Sequence, residues 1–230
     1  MHVALIPDGN RRYMKKKGIL NLGESYASGI KQFYDFLQWC SDFGVDEVTI
    51  YALSTENIEN RSNDEIKTLF NVFAKQAGEA VSDRRIHDNK VKVNFCGDKE
   101  YLLNGVQEPD LAKKLVENLG KLEDATRDYG DLTLNLAIAY GGRQEILSAA
   151  EKISESGLPF TEDNLKANLW VKGYPDILIR TSEDRLSNFL LWQAAYSEMY
   201  FPDKLWQEFT KDDLEKIILD YRGRERRFGK

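Results

Sequence analysis

The sequence predicts an α/β fold, a mainly parallel sheet with helices on its faces. Three observations predict it. Short apolar runs alternate with longer stretches of helical spacing, glycines and polar residues punctuate the joints, and five runs each stop abruptly in a loop rich in polar or charged residues. Right-handed crossovers then bring the loops after the strands to one rim, where ligands of such sheets bind.

Residues 3–6 are a buried strand, closed by Pro7 and the turn Asp8-Gly9-Asn10, and residues 10–17 open a helix. Residues 25–43 carry Tyr26, Gly29, Ile30, Phe33, Phe36, Leu37 and Cys40 at three- and four-residue steps, a helix ended by Gly44. Residues 47–53 are a strand closed by Ser54-Thr55-Glu56-Asn57. Residues 61–85 read as one long helix, with Ser62 or Asn63 as its cap and acids in its first turn. Residues 91–96 alternate like a strand, 111–127 are helical, and 132–139 are a buried strand that Gly141-Gly142 turns into a helix over 143–154. A short helix at 162–169, a strand at 176–179, an aromatic-rich apolar segment at 189–201 and a helix at 212–221 complete the chain, before a basic tail. No repeat or linker interrupts 1–230, which predicts a single domain.

The 230 residues suffice for a full core. A net charge of −6 argues against nucleic acid as a partner, and makes the basic stretches 11–17 and 222–230 stand out as local anion sites. Two distant cysteines, Cys40 and Cys96, suit reduced thiols in a cytoplasmic protein. No signal peptide and no run long enough to span a bilayer is present.

The chemistry concentrates after the strands. A strand, a glycine turn and a helix N-terminus direct backbone N–H groups at an anion, and Arg11, Arg12, Lys15, Lys16 and Lys17 crowd the same place. Asp8, one acid amid this charge, points to Mg²⁺ bridging it to phosphate oxygens. A plain turn with a solvated basic helix explains the same residues. Arg180 and Arg185 bracket Thr181 and Ser182, with Ser187 beyond, a set that suits a diphosphate. Surface pairing with Glu183 and Asp184 is the alternative. Glu198 is a candidate second metal-facing carboxylate. The helices over 25–43 and 61–85 either pack as ordinary core or splay around a greasy slot for a lipid tail.

The segments HVALIPDGNRRYMKKKG, YALSTEN, LTLNLAIAYGGRQEI, RTSEDRLSNFLLWQAAYSEMYF and RERRFG, in this order, resemble the cis-prenyltransferases, the undecaprenyl diphosphate synthase family. The trans-prenyltransferase Asp-Asp-x-x-Asp signature is absent. The resemblance implies a six-stranded, mainly parallel sheet with a hydrophobic tunnel, a homodimer, and Mg²⁺-dependent condensation of isopentenyl diphosphate with an allylic prenyl diphosphate. It implies Asp8 as the Mg²⁺-linked catalytic carboxylate and Asn57 beside the reacting centre. Gly9, Asn10, Arg11, Arg12 and Tyr13 cradle the allylic diphosphate, with Tyr26, Ser54, Thr55, Glu56 and Arg61 around the reacting centre. Arg180, Arg185, Leu186 and Ser187 hold isopentenyl diphosphate, Glu198 supports Mg²⁺, and Arg227 and Gly229 reach across the dimer. A lipid product further implies transient contact with a membrane.

The sequence departs from the family pattern at Tyr13, where tryptophan is usual, at Tyr26, where histidine is expected, at Asn21 and Ile58, and in the loop after Arg180, which reads one residue shorter. These departures leave open a short-chain or irregular, non-head-to-tail condensation. A non-catalytic partner subunit and a generic phosphate-binding protein are the remaining readings. Retention of both Asp-Gly-Asn and the terminal Arg-x-Gly weakens the first, and the lack of G-x-G-x-x-G and of a P-loop weakens the second for nucleotides.

Overall fold

The computed structural model describes residues 1–224. The elements run β1 (His2–Ile6), α1 (Asn10–Lys17), α2 (Leu22–Asp42), β2 (Glu47–Ser54), α3 (Thr55–Asn60), α4 (Asn63–Ala80), α5 (Arg84–Asp88), β3 (Val91–Cys96), α6 (Lys99–Asn104), α7 (Pro109–Thr126), β4 (Leu132–Tyr140), α8 (Gly142–Glu155), α9 (Glu162–Asn168), β5 (Ile177–Arg180), β6 (Glu198–Tyr200) and α10 (Lys211–Gly223). Two 3₁₀ turns, Gln193–Tyr196 and Trp206–Glu208, flank β6.

All six strands are parallel, in the order β3-β4-β2-β1-β5-β6. The chain builds leftward from β1 and then returns to place β5 on its other side. The switch point therefore lies between β1 and β5, and Ile6 faces Arg180 in register there. A crevice opens outside the carboxyl ends of strands at such a point.

Both faces of the sheet are buried, as the continuous apolar strands require. One face carries Val3, Leu5, Val48, Ile50, Val93 and Leu134 against α2, α7 and α10. The other carries Ala4, Ile6, Tyr51, Ala137 and Leu178 against Phe189, Leu190 and Ala194.

The helix expected over 61–85 is two helices. Asp83 accepts the backbone N–H of Arg85 at 2.9 Å and caps α5, because Ser82-Asp83 favours a cap over a helix interior. Ser54 is likewise a cap, accepting from the Asn57 N–H at 3.0 Å, so the expected loop is the start of α3. α2 begins three residues before the expected start, with Asn21 capping it.

A buried polar ladder crosses the amino half of the sheet. His2 Nε2 meets Thr49 Oγ1 at 2.8 Å, Asn135 donates to Thr49 and to Glu47, and Asn94 donates to Asn135. Burial lowers the His2 pKa, against the opposing pull of Glu47 and Asp176. Its folded value is thus below its unfolded one, so its contribution to stability is present above the ordinary 6.5 and is lost as pH falls through the folded value. Thermal melts from neutral pH downward should show a loss of up to about 1.4 kcal/mol per pH unit from this group. His2→Gln should remove that share of the slope.

Candidate active site

The turn between β1 and α1 forms one wall of the site. Gly9 has φ +102°, and a Cβ there would lie 2.6 Å from Ser182 Oγ and 2.9 Å from the Leu205 side chain. Only glycine lets the chain turn this tightly against the loop after β5. No side chain caps α1 at Gly9, so its first N–H groups remain available to an anion. Thr181 Oγ1 locks the turn from the facing loop, accepting from the Asp8 N–H at 2.9 Å and donating to the Asp8 carbonyl at 2.8 Å.

Arg180 is the hinge of the site. Only 4% exposed, it donates from Nη2 to Asp8 Oδ2 at 2.8 Å and from Nη1 to Ser187 Oγ at 2.6 Å and to the Arg185 carbonyl. Its Nε is buried without a hydrogen-bond partner among the described residues. Arg12 reaches Glu183 at 3.1 Å and Asp8 at 3.9 Å. Arg185, exposed, pairs with Glu183 at 2.7 Å, so surface pairing holds for Arg185 and not for Arg180.

Opposite stands a second group. Tyr26 donates to Glu65 Oε1 at 2.9 Å and accepts from Arg61 Nη1 at 2.9 Å, while Arg61 pairs with Glu65 at 3.2 Å and Arg11 approaches it at 3.9 Å. Burial pushes the Tyr26 hydroxyl up to about 12, Arg61 pulling the other way, so it stays a neutral donor. Arg61 Nε too is buried without a hydrogen-bond partner among the described residues.

A cavity of about 770 Å³ joins these groups, at the large end for a ligand pocket. Its mouth is lined by Asp8, Gly9, Asn10, Arg11, Arg12, Lys15, Arg61, Arg180, Glu183 and Arg185. Six cations against two carboxylates there favour a multiply charged anion. Below, the cavity is mainly apolar, with Tyr34 and Gln76 among its lining: Ile30, Phe33 and Leu37 of α2, Leu69, Phe73, Ala77 and Ala80 of α4, and Ile50, Val91, Val93, Leu134 and Leu136 of the sheet. From the level of Ser54 to that of Val91 it follows the strands for roughly 25 Å.

Asp8, Gly9, Asn10, Arg11, Arg12, Tyr26, Ser54, Asn57, Arg61, Arg180, Arg185 and Ser187 thus line one cavity. Five expected residues among those described do not. Tyr13 lies outside it, under the Lys17 ammonium at 5.8 Å. Thr55 is buried at the start of α3, Leu186 packs on the Ala4–Ile6 face, and Glu56 turns to Asn188. Within the one chain Glu198 stands apart: it starts β6 level with Ile177, at the amino end of the sheet, and pairs with Arg224 at 2.7 Å. Three residues of strand separate that level from Arg180, about 10 Å, so one chain does not bring Glu198 to Asp8. Arg227 and Gly229 lie outside the described residues.

Asn188 is a residue that sequence reasoning missed. Its amide donates to Glu56 at 2.7 Å and to Gln144 at 3.1 Å, its Oδ1 accepts from the Arg143 N–H at 2.9 Å, and its carbonyl accepts from the Gly142 N–H at 2.7 Å. One side chain thereby ties together the loops after β2, β4 and β5. Burial raises the Glu56 carboxyl, but the hydrogen bonds it accepts, from its own backbone and from Asn188 among others, outweigh that and hold it low. Asn188 sits at φ +65°, a conformation asparagine tolerates better than alanine. Asn188→Ala should lower kcat/KM about 10- to 100-fold and lower the melting temperature. Asn188→Gly, free of the backbone cost, should recover part of the melting temperature and little of the activity.

The donor set suits Mg²⁺. Asp8 is a hard oxygen ligand, 35% exposed at the mouth, and Mg²⁺ is commonly held by one or two carboxylates together with substrate phosphates. Among the described residues no three acidic, histidine or cysteine side chains gather elsewhere as an alternative cage.

The sequence model described as putative undecaprenyl diphosphate synthase matches residues 6–229. A tritrans,polycis-undecaprenyl-diphosphate synthase (geranylgeranyl-diphosphate specific) of Pyrobaculum aerophilum is 42% identical over 238 residues, spanning 100% of this chain and 95% of that protein. The crystal structure of a probable undecaprenyl diphosphate synthase from Campylobacter jejuni superposes with a TM-score of 0.80 at 33% identity, covering 100% of this chain and 98% of that one. Lavandulyl diphosphate synthase from Lavandula x intermedia, solved with dimethylallyl diphosphate, superposes with a TM-score of 0.85 at 31% identity and the same coverage.

Proposed function

This chain belongs to the undecaprenyl diphosphate synthase family, and we propose that residues 1–230 form one catalytic domain, built around Asp8 and Arg180, for regular, long-chain cis-polyprenyl synthesis. It is a cis-prenyltransferase, condensing isopentenyl diphosphate with an allylic prenyl diphosphate. The observation that carries the site assignment is the single cavity, cationic at its mouth and apolar for roughly 25 Å below. A diphosphate head and a long isoprenoid tail need those two environments in that order. The similarity to a geranylgeranyl-diphosphate-specific enzyme favours that primer.

The allylic diphosphate head is held by the free N–H groups of α1 with Arg11, Arg12 and Arg61, and Tyr26, accepting from Arg61, fixes that guanidinium beside it. Isopentenyl diphosphate is held by Arg180, Arg185 and Ser187. When bound at Asp8, Mg²⁺ supplies neutralisation of charge on the leaving group. Arg180 keeps the Asp8 carboxylate aimed into the mouth, and the surrounding cations stabilise diphosphate as negative charge grows on it. The allylic C–O bond breaks as diphosphate leaves, the isopentenyl double bond attacks the allylic carbon, and the proton released from the isopentenyl unit passes to an oxygen of the departing diphosphate. Phe33, Phe73, Leu69 and Ile50 keep water from the cationic carbon. Each tail CH₂ buried below contributes roughly 0.8 kcal/mol.

The working form is a homodimer in the cytoplasm. β6 is an open sheet edge flanked by Tyr196, Met199 and Phe201, all partly exposed, and such edges are normally covered. Cys40 and Cys96 are buried free thiols, in keeping with a reducing compartment. Among the described residues no helix is long and apolar enough to cross a membrane.

The test is to incubate the purified chain with geranylgeranyl diphosphate, labelled isopentenyl diphosphate and Mg²⁺, and to analyse extracted products by mass spectrometry. A ladder of polyprenyl diphosphates is expected. A product lengthened by no regular units would favour irregular condensation, and no product from any allylic primer would overturn the reading.

A further inference from the structure

A product that fills a dry cavity must leave into lipid, and the surface beside the mouth has the makeup to meet one. α2 starts at the rim and runs antiparallel to the strands, so the joint between α1 and α2 lies on the mouth side. Leu20, in that joint, is 100% exposed. It is not a loose tip. Gly18 ends α1 at φ +64°, the Ile19 N–H bonds the Met14 carbonyl at 3.0 Å, and Asn21 caps α2 by accepting from Gly23 and Glu24. Caps on both sides thus hold a leucine out in water, an arrangement that contributes nothing to this chain's own core.

Charge accompanies it. Lys15, Lys16 and Lys17 occupy the last turn of α1, all exposed, in a chain of net charge −6. Glu208 pairs with Lys16 at 2.5 Å and feels Lys17 at longer range, while neither Lys15 nor Lys17 forms an ion pair among the described residues, Lys17 lying over the Tyr13 ring at 5.8 Å. Glu24 is the nearby acid on the first turn of α2. We propose that the α1–α2 joint, with Leu20 as the inserted side chain and Lys17 and Lys15 as the headgroup contacts, docks the mouth of the cavity on an anionic lipid bilayer. Each lysine near such a surface strengthens binding about fivefold, and insertion of one leucine about tenfold or more. The basic rim that draws diphosphate substrates and the patch that draws anionic lipid are then neighbours, so the tail can pass between cavity and membrane with little exposure to water.

This deepens the lipid-tail reading, but it is tested without substrate, so its failure and that of the enzymatic reading are distinguishable. The probe is flotation of the full chain with vesicles of phosphatidylcholine, with and without a one-third share of phosphatidylglycerol. The intact chain should bind the anionic vesicles at least tenfold better, and the gain should shrink as salt is raised above the physiological range. The double variant Leu20→Ser with Lys17→Gln should lose at least tenfold in binding to anionic vesicles. Both side chains lie outside the cavity lining, so its melting temperature and its turnover in detergent should match the parent. Equal binding to both kinds of vesicle, or a double variant that binds as the parent does, would overturn the proposal. The salt titration of the unaltered chain keeps the test decisive should the variant fold poorly.

Discussion

Asp8→Ala is expected to lower kcat at least a thousandfold while leaving a folded protein. A thousandfold loss corresponds to about 4 kcal/mol of transition-state stabilisation. Among the described residues Asp8 is the only carboxylate of the mouth in contact with Arg180, and in the proposed reaction it stands where charge on the leaving diphosphate must be met. Its removal also leaves Arg180 without its carboxylate partner. That pair is only partly desolvated, because Asp8 is 35% exposed, so the stability cost should be about 1–2 kcal/mol rather than the larger figure of a fully buried pair. Asp8→Asn keeps an acceptor for Arg180 and removes the charge. It should therefore restore the melting temperature and leave kcat nearly as low. Single-turnover rates with saturating substrates, set beside thermal melts, check both halves. An Asp8→Asn enzyme with near-normal turnover would remove the carboxylate from the chemistry.

The second large effect is at Arg180. Its guanidinium spans three acceptors in different directions: Asp8 Oδ2, Ser187 Oγ and the Arg185 carbonyl. A lysine ammonium keeps the charge but is a point donor and cannot reproduce the fork. Arg180→Lys should lower kcat about a hundredfold and raise the KM for isopentenyl diphosphate about tenfold, with a smaller change in the KM for the allylic substrate. Initial rates with one substrate varied and the other saturating separate the two. An equal rise in both KM values would place Arg180 in general charge balance rather than on the isopentenyl side.

The rim was legible in the sequence because breakers follow strands. Asp8, Ser54, Tyr140 and Arg180 each close or follow an apolar run, and parallel topology brings such ends together. The cap chemistry at Ser62 was legible too, since it is local. What escaped was non-local or too short to have a period. β6 is three residues long, inside an aromatic segment with no alternation to mark it. Its direction decides the fate of Glu198: a parallel β6 enters from the amino end of the sheet, so its first residue is carried away from the mouth. Asn188 escaped because its side chain serves three loops more than 40 residues apart in sequence, and nothing local distinguishes it from an ordinary turn asparagine. Glu145 escaped for the same reason. It is 1% exposed, accepts from the Val171 N–H at 2.8 Å, from Gln193 at 3.0 Å and from Tyr140, and burial raises its carboxyl against those bonds. The choice between slot and core along α2 and α4 also lay beyond the apolar spacing, since both arrangements need the same stripe.

The central claim is that one cavity holds a diphosphate at Asp8 and Arg180 and an isoprenoid tail along α2, α4 and the sheet. A crystal structure with Mg²⁺ and an uncleavable thio analogue of geranylgeranyl diphosphate tests it most directly. The account predicts diphosphate oxygens at the α1 N-terminus and Arg12, a metal ion between them and Asp8, and the tail running past Phe33 and Phe73 toward Val91. A head group lodged away from residue 8, or a tail lying outside the cavity on the protein surface, would contradict it.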